Sequence, residues 1–74
     1  MGPGMGDRWL AGGTLPGVHF GPAARVAFAR GPRAGQEATV LLLVAVRPEP
    51  LYHVRADEGR ELQVRQSALV PVDA

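Results

Sequence analysis

Apolar and polar residues alternate most regularly in the last third of the chain. Over Leu51–Ala56, Tyr52 and Val54 alternate with His53 and Arg55; over Glu61–Arg65, Leu62 and Val64 alternate with Gln63 and Arg65. A period of two marks a half-buried strand. Between the two runs, Asp57-Glu58-Gly59-Arg60 supplies turn chemistry, with Gly59 free to take a positive φ. Gln66-Ser67-Ala68-Leu69 fits one 3₁₀ turn, with Ser67 as its local cap. Val70-Pro71-Val72 fits a short last strand, which Pro71 restricts to a sheet edge.

Upstream, the pattern predicts a first strand over Ala23–Ala29, with Val26 and Phe28 facing one way and Arg25 and Ala27 the other. Gly31-Pro32-Arg33-Ala34-Gly35 then reads as a loop. A second strand runs from Glu37 to Val46. Its centre, Val40 to Val46, is apolar throughout, so it carries no alternation. Val content and the flanking Gly and Pro favour a strand over a helix there. One face must fill a core; the other, expected to hold Leu41, Leu43 and Ala45, is an apolar patch suited to a partner chain. Arg47-Pro48-Glu49-Pro50 is a stiff connector. Five short strands with a 3₁₀ turn before the last predict an all-β, SH3-like barrel over residues 23–74.

Residues 1–22 hold most of the glycines and no sustained periodicity. They read as an irregular or disordered arm. Trp9 has two places open to it: an anchor on another subunit, or a cover over the open end of its own barrel.

Size sharpens the picture. A chain of 74 residues makes one domain at most and buries only roughly 60% of its surface. No Cys is present, so neither disulfides nor thiolate ligands support it, and two His do not make a structural zinc site. Oligomerisation or docking onto a partner is the remaining support. The formal net charge of +1 and four aromatics argue against a nucleic-acid partner. All basic residues are Arg; coding bias explains this, and so does the suitability of Arg for subunit interfaces. No basic segment followed by an apolar run opens the chain, and Val40–Val46 is too short to span a bilayer. A cytoplasmic protein without membrane partners is therefore expected.

Autonomous catalysis finds little equipment. Gly2, Gly4 and Gly6 have no strand before them and no helix after, so they form no phosphate loop. His19 reads as solvated and His53 as a surface or interface residue. Asp57 and Glu58 read as a solvated hairpin tip rather than an acid–base pair.

Pro50-Leu51-Tyr52-His53-Val54-Arg55, Arg60-Glu61-Leu62 and the closing series Leu62, Val64, Ser67, Leu69, Pro71 together resemble the C-terminal SH3-like domain of the nitrile hydratase beta subunit. Phe20-Gly21 with Arg25-Val26, and Phe28-Ala29-Arg30-Gly31, are similar to that family's first strand and aromatic-x-Arg-Gly turn. The family's His-Thr-Arg loop, and a tryptophan near Arg65, have no counterpart here. The resemblance implies a non-catalytic subunit or accessory. Its partner would be a Cys-rich alpha-type subunit that holds iron or cobalt and hydrates nitriles to amides. Arg30 and Arg33 would face the partner's metal loop, with Trp9, Leu41, Leu43 and Ala45 at the interface.

Leu62-Gln63-Val64-Arg65 also resembles, more distantly, the Val-Gln-Ile-Tyr pore motif of the plasmid-borne type B dihydrofolate reductases. That likeness implies self-association into a homotetramer with NADPH in a pore lined by Gln63, Val64 and Arg65. Arg65 replaces the family's Tyr, and Phe28 stands near its cofactor-binding Lys. A third alternative is a protein-binding module with an exposed cleft near Tyr52.

Overall fold

The computed structural model of the chain describes residues 9–13 and 15–72. The alternating Gly2, Gly4 and Gly6, and the last two residues, lie outside that range. Five strands form: β1 (Arg25–Phe28), β2 (Glu37–Ala45), β3 (Leu51–Ala56), β4 (Glu61–Arg65) and β5 (Leu69–Pro71), with a 3₁₀ turn over Gln66–Ala68 before β5. The fold is all-β, as the alternation predicts. The sheet order is β4-β3-β2-β1-β5, and every neighbouring pair is antiparallel. The first four strands make a meander. The 3₁₀ turn then carries the chain back, so that Leu69 lies opposite Phe28 and Pro71 opposite Val26. This is SH3-like topology in a partly open barrel: β4 and β5 are its two edges. No helix among the described residues is long and apolar enough to cross a membrane.

β1 is shorter than the expected Ala23–Ala29 because Ala23 sits in a turn at φ 66°. Its N–H donates to the Val40 carbonyl at 2.9 Å. The β3–β4 hairpin closes with Gly59 at φ 104°. There the Gly59 N–H bonds the Ala56 carbonyl and the Ala56 N–H bonds the Arg60 carbonyl, each at 2.8 Å. A side chain at Gly59 would strain this backbone.

β2 departs most from simple alternation. Its register with β3 slips twice, between Val40 and Leu42 and between Leu43 and Ala45. Each slip is a bulge that adds an unpaired residue and bends the strand. A strand that must pair with β1 at one end and β3 along its length needs this bend. The bulges also reset which side faces in: Ala38 and Val40 are buried, Leu43 packs on the core, and Leu42 and Val44 turn outward.

The core joins Val26, Phe28, Ala38, Val40, Tyr52, Val54, Ala56 and Leu69 from the sheet with Trp9, Leu15 and Phe20 from the segment before it. The described residues before β1 include no strand, yet they supply the largest buried side chain, Trp9. The Trp9 indole Nε1–H donates to the Phe20 carbonyl at 2.7 Å, so its polar atom is satisfied where it is buried. Of its two open places, Trp9 takes the one on its own barrel.

Candidate functional site

Four groups of side chains stand out from the bare barrel. The first is the apolar outer face of β2. Leu42 is 49% exposed and Val44 46%, against half-buried Leu41, Leu43 and Ala45. The patch expected at Leu41, Leu43 and Ala45 is thus partly displaced: the first slip turns Leu42 outward and Leu43 onto the core, and the second returns Ala45, opposite Leu51, to the outer face beside exposed Val44, in a run that had no polar residue to mark the change. Leu42 lies opposite His53, which lies opposite Gln63. Ala45 lies opposite Leu51, which lies opposite Arg65. The apolar strip therefore grades into a polar one toward β4.

That polar strip is organised by Glu61. Its carboxylate meets His53 Nε2 at 2.8 Å and Arg55 Nη2 at 3.4 Å. The His53 hydrogen bond, then Arg55, holds the Glu61 carboxyl below the usual carboxylate range. His53 is on the outer face, as alternation predicts. Gln63 and Arg65 are exposed on the same face, whereas Val64 points inward and is half-buried. The three residues of the expected pore motif thus lie on opposite sides of β4.

The second group is centred on Arg25. Its guanidinium binds both Asp57 oxygens, at 2.9 and 2.8 Å, Glu37 at 3.1 Å and Thr39 Oγ1 at 2.6 Å. Arg33 pairs with Glu58 close by. Asp57 and Glu58 are exposed at the hairpin tip, as expected, and there each is an ion-pair partner. The paired carboxylates raise the Arg25 pKa, and the Arg25 hydrogen bond holds the Asp57 carboxyl below its ordinary value. Because the folded pKa of Asp57 lies below its unfolded one, the unfolded chain binds more protons at low pH. The contribution is present above the ordinary carboxylate pKa and is lost as pH falls through the folded value. Urea midpoints measured from about pH 5 down to about pH 2 should fall more steeply for the wild type than for Arg25→Met. Equal slopes would mean that the Arg25–Asp57 pair contributes nothing to the acid limb.

The third group ties the 3₁₀ turn to its surroundings. Arg30 Nη2 donates to the Ser67 carbonyl at 2.9 Å, and Glu49 accepts from the Ser67 N–H at 3.1 Å and from its Oγ at 3.2 Å. Ser67 does not cap its own turn, whose N-cap is Arg65 with no side-chain cap bond. Its hydroxyl reaches the connector instead.

The fourth group clasps residues 17–20. Gln66 Oε1 accepts from the Tyr52 hydroxyl and from the His19 N–H at 2.9 Å, while its Nε2 donates to the Gly17 carbonyl at 2.9 Å. The Phe20 N–H reaches the Tyr52 oxygen at 3.4 Å, and the two rings meet edge to face at 5.5 Å. Burial pushes the Tyr52 pKa up, opposed by the backbone N–H groups of Phe20 and His19. Tyr52 is fully buried, so the cleft expected beside it is occupied by the chain's own Phe20. A cavity of about 120 Å³ lies within the segment before β1, lined by Trp9, Leu15, Val18 and Phe20 among others.

Sequence reasoning missed the Arg25 and Gln66 hubs. Each works through partners far along the chain, and no local pattern announces them. Among the described residues no group of three or more His, Asp or Glu is placed to hold a metal ion. Compared with family models, with curated proteins and with solved structures, the chain matches none.

Proposed function

We propose that this chain is a non-catalytic barrel subunit that docks through the outer face of β2 on a Cys-rich, iron- or cobalt-bearing alpha-type subunit. The assembly would hydrate nitriles to amides in the cytoplasm. The observation that carries the docking role is the outward turn of Leu42 and Val44 in so small a domain. The residues of the Pro50–Arg55 resemblance support the choice of partner: Tyr52 and Val54 build the core and leave Leu51, His53 and Arg55 on the outer face. Any metal belongs to the partner in this reading, since the chain has no Cys. Arg30 and Arg33 hold Ser67 and Glu58, and a guanidinium has five donors, so each retains N–H groups for a partner's oxidised Cys ligands.

The test is to express the tagged full chain in its native host. The eluate should hold a Cys-rich chain with iron or cobalt and should convert a nitrile to its amide. Leu42→Asp should abolish that co-purification with the fold intact by circular dichroism. A barrel that elutes alone, or with a metal-free chain, overturns the proposal.

One observation favours a second reading. Gln63 and Arg65 stand exposed on β4, where a pore shared by several copies would need them. A homotetrameric NADPH reductase predicts a tetramer by light scattering, with NADPH binding that Gln63→Ala removes.

A further inference from the structure

The two edges of the sheet are unlike. β5 has three residues and ends in Pro71, which has no N–H to offer. β4 has five residues and no Pro. Its register pairs Tyr52 with Val64 and Val54 with Leu62. The flanking bonds run from the Gln66 N–H to the Pro50 carbonyl and from the Ala56 N–H to the Arg60 carbonyl. In an antiparallel ladder hydrogen-bonded pairs alternate, so Leu62 and Val64 spend their main-chain groups on β3. The N–H and C=O groups of Glu61, Gln63 and Arg65 point out of the sheet, and no described residue bonds them. An open edge of this kind is a template for another strand.

The side chains say which strand. Glu61-Leu62-Gln63-Val64-Arg65 is palindromic in character: acid, aliphatic, amide, aliphatic, base. We propose that two copies of this chain pair through β4, antiparallel, about a two-fold axis at Gln63. The three outward-pointing residues then become the hydrogen-bonded positions of the new ladder. Gln63 faces Gln63 of the second copy, and Glu61 faces its Arg65 at both ends. Leu62 faces the second copy's Val64 on the inner side, which covers the flanks these half-buried residues leave open. A parallel pair would instead set acid beside acid and base beside base, which is unfavourable. Within one chain Arg65 makes no ion pair among the described residues, so its charge is available to the second copy. This contact uses the edge of the sheet and leaves Leu42 and Val44 uncovered. It stands whether or not the docking role proposed above does.

The experiment is light scattering on the full chain over a range of concentrations, with Glu61→Arg, Arg65→Glu and their equimolar mixture. The wild type should be a dimer. Each variant alone sets like charges opposite each other at both ends and should weaken dimerisation about tenfold. The mixture makes every cross-chain pair Arg with Glu, and dimer mass should return. Gln63→Pro gives an independent reading, because it removes an N–H that only the second copy uses. It should yield a folded monomer. A wild type that stays monomeric, an assembly indifferent to these substitutions, or a mixture that fails to recover dimer mass overturns the proposal.

Discussion

Trp9→Ala should destabilise the isolated chain by about 3–5 kcal/mol, the usual cost of emptying an aromatic site in a core. At roughly 0.05–0.15 kcal/mol per residue, a domain of this length has about 4–11 kcal/mol in all, so the substitution removes a large share of its stability. The indole is 2% exposed, and its Nε1–H ends on the Phe20 carbonyl. Alanine therefore removes both the packing and the only described donor to that oxygen. Trp9→Phe separates the two effects, because it keeps a ring and loses the donor; about 1–3 kcal/mol is expected from the unsatisfied carbonyl. Urea unfolding followed by far-ultraviolet circular dichroism measures both. A loss below about 1 kcal/mol for Trp9→Ala would mean that the indole is no part of the core and belongs on another surface.

Gln66→Ala should cost about 2–3 kcal/mol, counting about 1 for each of its three hydrogen bonds. The loss falls on the attachment of residues 17–20 rather than on the sheet. The Tyr52 hydroxyl, buried and pushed toward its neutral form, would be left without an acceptor among the described residues. Trp9 is the only tryptophan, so its fluorescence reports the docked segment without interference. In Gln66→Ala its emission should shift to the red at a lower urea concentration than the loss of the β signal. In the wild type the two transitions should coincide. Coincident transitions in the variant would show that the segment and the sheet unfold as one unit and that Gln66 does not hold them together.

The sheet was largely legible in the sequence, and the reason is specific. β3 and β4 each alternate cleanly and are joined by a turn with Gly59, so their bounds, Leu51–Ala56 and Glu61–Arg65, follow from the period alone. β2 was legible as a strand but not in its facing. A bulge is visible in a sequence only where it puts a polar residue out of phase, and Val40 to Val46 has none. The packing of Trp9, Leu15 and Phe20 was illegible for a different reason. A Gly- and Pro-rich segment has no period, and what fixes it is a glutamine 47 to 49 residues further on. The same holds for Arg25, whose partner Asp57 is 32 residues away. Local pattern reveals strands; it does not reveal which distant side chain satisfies a polar group.

The pairing of β1 with β5 has a consequence for synthesis. As the chain leaves the ribosome, Arg25–Phe28 emerges early and finds β2, but one of its sides stays unpaired until Leu69–Pro71 follows. The residue that closes on the segment ahead of β1 also follows the first four strands, since Gln66 lies beside β5. Until those residues have emerged, the nascent chain carries an open strand edge and an uncovered Tyr52. During that interval it is exposed to aggregation and to chaperones.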